Sequence, residues 1–156
     1  MNKIIISVLI MSSLLFSYEM NYDKNTTGLI RQLKIYKNPK WIAKVELKNG
    51  KNVFFSSPKS MFEFYFKPRN WYELGVRHEG DFENLIVTDY ATMKLVNAKG
   101  AFFVYGTNAV SPAGDDLVAF DSYKSATEFS AKHRGQRIFG FRDVSLALIN
   151  LLNGKL

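Results

Sequence analysis

Two decapeptides in this chain nearly coincide: FSSPKSMFEF at 55–64 and FDSYKSATEF at 120–129. A chain that carries both must build the same local joint twice. In each copy a Phe (Phe55, Phe120) is followed by a Ser that can cap a helix (Ser57, Ser122). A Ser-x-x-Glu pattern (Ser60/Glu63, Ser125/Glu128) then sets an acid near the positive end of the helix dipole. Convergence on good helix starts explains these identities without any function, and an internal duplication explains them equally.

The flanking sequence favours the duplication. Before the first copy, WIAKVEL (41–47) and KNVFF (51–55) are joined by Asn49-Gly50, the strongest short hairpin signal. After it, Pro58 fits a first helical turn, Pro68 ends the helix, and NLIVTDY (84–90) reads as a third strand. Before the second copy come AFFVY (101–105) and LVAF (117–120). After it, a helix stops at Gly135, QRIFGF (136–141) forms a closing strand, and Asp143 is placed to cap a last helix, VSLALINLL. Strand, strand, helix, strand therefore occurs twice. The expectation is an α+β domain over 33–156 with halves near 33–95 and 96–156. The polar stretch 18–32, with Asn25, Thr26, Thr27 and Gly28, reads as a flexible lead-in.

The N-terminus has one early cation, Lys3, then an uncharged apolar run at 4–16 and a small residue, Ser17. That run is shorter than the roughly 20 residues of a spanning helix, so 1–17 reads as a secretory signal peptide cut after Ser17. The bulky Leu15 before the cut leaves an uncleaved anchor as the alternative. The expected location is the periplasm, with a soluble mature domain and no stable membrane span. Export usually brings disulfides, but the chain has no Cys. A disulfide scaffold, a cysteine-linked lipid anchor and a thiolate metal site are all excluded. Stability must come from the core, which the 13 Phe and 8 Tyr are suited to build. The formal charge of +7 is dispersed in pairs such as Lys34/Lys37 and Lys132/Arg134. It makes a solvated basic surface, with no nucleic-acid signature.

Three segments resemble, in order and spacing, the NosL family of nitrous-oxide reductase accessory proteins. They are WIAKVELKNGKNVFFSSPKSMFEF, LIVTDYATMKLVNAKGAFFVYG and SPAGDDLVAFDSYKSATEFSAKHRGQRIFGF. The resemblance implies an exported α+β domain of two similar halves, organomercurial-lyase-like in fold, that binds Cu(I) and helps mature the reductase's copper centres. Its partners would be the reductase or other copper-maturation proteins. It also points to the loop 106–114 and to the Asp89/Tyr90 strand end. This chain departs from the family pattern where copper should bind. Arg31-Gln32-Leu33 stands in place of Cys-Gly-Met, and Ser111-Pro112-Ala113-Gly114 in place of Gly-Pro-Met-Gly. Cu(I) prefers thiolate and thioether sulfur, and neither is present at those places.

Substitute donors for Cu(I) are Met93, His133 and Met20. Met61 lies on an apolar helix face and reads as core, and His78 lies in a charged loop. Met93, in a loop after the third strand, is the best placed of them. His133, in a last helical turn, also suits capping. An enzyme is not expected: there is no Gly-x-Ser-x-Gly, no His-Glu-x-x-His, and no thiol for lyase chemistry. The leading reading is a NosL-like accessory protein with Cu(I) as cargo. The alternative is a partner-binding module without metal, contacting its partner through Asp89, Tyr90, Gly106, Pro112 and Gly114.

Overall fold

The computed structural model of the protein describes residues 17–155. The chain starts its first hairpin with β1 (Ala43–Leu47) and β2 (Asn52–Phe55), paired so that Ala43 faces Phe55. Gly50 closes the turn at φ +86°, a conformation open to glycine, and its N–H donates to the Leu47 carbonyl at 2.9 Å. Helix α1 (Pro58–Phe66) follows, then β3 (Phe82–Thr88) and a short β4 (Leu95–Asn97). These strands form one antiparallel sheet in the order β2-β1-β3-β4.

Next come β5 (Phe102–Tyr105), β6 (Val118–Phe120), helix α2 (Tyr123–Lys132) and β7 (Arg137–Gly140), with the sheet order β6-β5-β7. A last helix, α3 (Leu146–Leu152), packs on α1. In both sheets the first strand lies between the second and third, and the helix follows the second. β4 departs from that scheme. It pairs with β3 through Val87 and Val96, so the expected boundary between halves at 95/96 falls inside a strand of the first sheet.

Alternation along the strands places α1 between the two sheets. On one side Phe64 meets Phe55 and Phe82, with ring centroids 5.5 and 5.6 Å apart. On the other, Phe62 meets Phe103 at 5.0 Å and Phe141 at 5.1 Å. Both α1 rings are fully buried. Burial of each stabilises the fold by about 1.5–3 kcal/mol. The opposite face of the second sheet, with Val104, Val118 and Phe120, is covered by α2 through Ala126 and Phe129. The two similar decapeptides thus have different fates. α1 is a core helix, whereas α2 covers one sheet face and buries only Ala126.

Four expectations are corrected. The stretch 18–32, expected to be a flexible lead-in, is tied to the domain: the Leu29 N–H donates to the Phe54 carbonyl at 2.8 Å, and Leu29 and Ile30 pack on the core. Gly28 is buried against β2, where a Cβ would sit 2.9 Å from the Ser56 nitrogen. Further upstream, Lys44 Nζ, on the outer face of the first sheet, donates to the Glu19 carbonyl at 2.8 Å. Trp41 belongs to a 3₁₀ turn (Pro39–Trp41) rather than to β1, because its ring is drawn against Tyr90 at 5.1 Å. The third strand ends at Thr88, not Tyr90, because the Asp89 carboxylate turns the chain by accepting from the Ala91 and Thr92 N–H groups. The last helix is capped by Ser145, whose Oγ accepts from the Leu148 N–H, while Asp143 accepts from the Gly140 N–H in the preceding turn. The signal segment falls outside the described residues up to position 16. Among the described residues, no helix is long and apolar enough to cross a membrane.

Candidate functional site

The loop 106–114 is held at both ends. At its start, the Asn108 N–H donates to the His133 carbonyl at 3.0 Å, and Asn108 Oδ1 lies 3.1 Å from His133 Nδ1. An amide oxygen can only accept, so with Oδ1 facing the ring the hydrogen sits on Nδ1, and in the neutral imidazole the lone pair is then on Nε2. A ring nitrogen ligating a metal commonly has its other N–H anchored in this way. The imidazole also stacks on Phe129 at 4.1 Å, and Phe129 meets Tyr90 at 5.3 Å. Tyr90 is half-buried under Lys40, whose Nζ sits 5.1 Å from the ring centroid. Three residues on is Met93, 42% exposed and held at φ +65° with its N–H on the Asp89 carbonyl. Tyr90, Phe129 and His133 thus form one run of ring contacts, and Met93 follows in the turn that leaves Tyr90. Met20 is elsewhere: its neighbour Glu19 lies over the outer face of the first sheet. Met61 is fully buried, and His78 Nδ1 accepts from the Gly80 N–H at 3.0 Å.

At its far end the loop closes around a polar cluster that the sequence did not reveal. Asp116 is buried, and its Oδ1 accepts from the Lys59 and Leu117 N–H groups, both at 2.8 Å. Its Oδ2 accepts from Ser111 Oγ, also at 2.8 Å. Burial pushes the Asp116 carboxyl above the ordinary aspartate range, against the opposing pull of the Ser57 hydroxyl first and then of these hydrogen bonds. The buried Lys59 ammonium donates to the Ala113 carbonyl at 2.8 Å and the Leu152 carbonyl at 3.2 Å. Burial draws its pKa down, with the nearby Asp116 charge opposing. Its sequence counterpart Lys124 is exposed on α2, so the identical pair gave no sign of which lysine was internal.

Arg31, standing where the resemblance expects a sulfur donor, pairs with Glu63 at 3.5 Å and donates to Asn153 at 2.6 Å. Ala113, the other such place, bears on the Lys59 ammonium. Two cations, Arg31 and Lys59, thus mark the region where soft ligands were expected, and that donor set does not fit Cu(I). Among the described residues there is no group of three or more His, Cys, Asp or Glu side chains able to hold a metal. Asp89, expected on a contact surface, is only 1% exposed, and its Oδ2 accepts from the Asp121 N–H at 2.7 Å. Gly106 and Gly114 both take positive φ, at +76° and +89°, and Pro112 is half-buried between Ser111 and Ala113.

The family model for NosL matches residues 19–149. The chain belongs to the NosL family. Among solved structures it is similar to the crystal structure of the copper chaperone NosL from Shewanella denitrificans, with a TM-score of 0.71 at 18% identity over 84% of this chain and 98% of that one. That likeness establishes a NosL-type α+β fold. A second similar structure is the solution NMR structure of the apo-NosL protein from Achromobacter cycloclastes, with a TM-score of 0.49 at 18% identity over 69% of this chain and 87% of that one. No curated protein matches the chain in sequence. In this chain the loop with Pro112 and Gly114 lies over the buried Asp116 and Lys59.

Proposed function

We propose that this chain is an exported, non-enzymatic NosL-type accessory protein in copper-centre maturation of nitrous-oxide reductase, handling Cu(I) as cargo. The observation that carries this reading is the NosL family match across 19–149. The donors would be the Met93 thioether and, in the neutral ring, His133 Nε2, because Asn108 engages Nδ1 and Met93 is exposed. One thioether and one imidazole make a soft but sparse donor set, suited to weak, exchangeable binding. Met20, apart from these two, contributes nothing to it.

The test is a Cu(I) titration of residues 18–156 against a chromophoric chelator, repeated with Met93→Ala and His133→Ala. Binding that weakens at least tenfold in either variant supports the reading. Binding no tighter than to an unrelated cysteine-free protein overturns the cargo role. The second reading, a partner-binding module without metal, is favoured by one observation: Arg31 and Lys59 occupy the region where soft ligands were expected. It predicts no Cu(I) binding but retained association with a reductase or another copper-maturation protein.

A further inference from the structure

The end of α1 opens into a cleft of about 590 Å³ whose lining includes Tyr65, Lys67, Arg69 and, from the segment before β3, Arg77 and Glu79. Three cations converge there. Among the described residues, none of them has a carboxylate within 4.0 Å. Two carboxylates stand at this cleft and the one adjoining it, each held by neutral donors rather than by these cations. Glu79, at the cleft wall, accepts from the Tyr65 hydroxyl, and Asp81 accepts from the Arg77 and His78 N–H groups at 2.9 and 3.3 Å. Arg69 Nε donates to the Arg77 carbonyl at 3.2 Å, which braces the two arms of the cleft; among the described residues the rest of the Arg69 guanidinium has no hydrogen-bond partner. Arg77 and His78 also line an adjoining cleft of about 540 Å³, beside Tyr72, which is 83% exposed. The two clefts share Arg77 and His78, and their lining sets Lys67, Arg69 and Arg77 beside the carboxylates of Glu79 and Asp81, with the exposed Tyr72 ring next to them.

We propose that this double cleft is a docking surface for an acidic, aromatic-containing polypeptide segment of a partner protein. Guanidinium groups without a carboxylate partner match carboxylates bidentately, and the exposed Tyr72 ring offers a face for an aromatic side chain between the acids. Two adjoining clefts fit an extended chain better than a compact anion. The surface lies apart from Met93 and His133, and the proposal does not depend on copper.

The experiment measures fluorescence anisotropy of a labelled twelve-residue Glu/Tyr peptide with residues 18–156 in metal-free buffer containing a chelator. A Lys/Tyr peptide, inorganic phosphate and phosphatidylglycerol vesicles are run in parallel. The acidic peptide is expected to bind. Arg69→Glu with Arg77→Glu should weaken it at least tenfold, and the milder Arg69→Gln with Arg77→Gln about threefold or more. Lys124→Glu with Lys132→Glu makes the same change in net charge on α2 and should alter binding less than threefold. Equal losses in the two charge-reversed pairs would reduce the effect to net charge and overturn the proposal. So would binding of the vesicles or phosphate in place of the peptide, or no peptide binding by the folded wild type. Unchanged circular dichroism and melting temperature in the Gln pair keep the result free of folding effects.

Discussion

Replacing Asp116 with Ala removes the acceptor for two buried N–H groups, those of Lys59 and Leu117, and for the Ser111 hydroxyl. A buried donor left unpaired costs about 1–3 kcal/mol, so the two N–H groups together set a loss of about 2–6 kcal/mol. Ser111 adds little, since its Oγ also lies 3.1 Å from the Gly114 carbonyl and can donate there. Removing a carboxylate that burial disfavours offsets part of the loss. The expected net is about 3 kcal/mol. In a chain of 156 residues that is a fall in melting temperature of about 6–12 °C. Asp116→Asn keeps the Oδ1 acceptor and can turn Ser111 to accept from its amide, so its loss should be about 1 kcal/mol. Urea unfolding followed by fluorescence of the two Trp residues measures both variants. A loss below about 1 kcal/mol for Ala, or equal losses for Asn and Ala, would refute the assignment of the stability to these accepted hydrogen bonds.

The same residue sets a pH test. Because the folded carboxyl is raised, the folded state holds that proton more readily than the unfolded state. Stability relative to Asp116→Asn therefore rises as pH falls through the folded pKa toward the ordinary value of about 3.9, and an opposite slope in paired unfolding curves refutes this sign. Tyr65 is pushed up to about 12, by burial first and then by Glu79, so the ultraviolet phenolate step absent from Tyr65→Phe should move to lower pH in Glu79→Gln. Ser57→Ala and Ser122→Ala should each cost about 1 kcal/mol in thermal unfolding, since each hydroxyl accepts from the N–H three residues on. Gly28→Ala should cost about 1–3 kcal/mol by the same assay, because the added carbon meets the Ser56 backbone nitrogen; a neutral effect would mean that 18–32 can lift away.

The legible parts of the fold were those with local causes. Asn49-Gly50 gave the hairpin, Ser57 and Ser122 gave the helix starts, and Pro68 gave an end, because turn and cap chemistry acts within a few residues. What escaped was set by contacts distant in sequence. Residues 18–32 are polar enough to read as flexible, yet Gly28 lies against Ser56, and no local pattern announces that approach. Asp143 was expected to cap the last helix, but its carboxylate is taken by the Gly140 N–H and Ser145 caps instead. At the candidate site the sequence gave no sign of the buried Asp116 and Lys59, since burial of one lysine of an identical pair follows from where α1 is placed.

The two aspartates just outside the strands carry one more consequence. Asp116, from the loop leading into β6, accepts from the second residue of α1, and Asp89, from the end of β3, accepts from the residue before the cap of α2. Each sheet-and-helix unit depends on a carboxylate that belongs to the other. Cutting the chain between β4 and β5 would leave two fragments that each lack an acceptor, so neither should fold by itself, while mixing them should restore one complemented, cooperatively melting body.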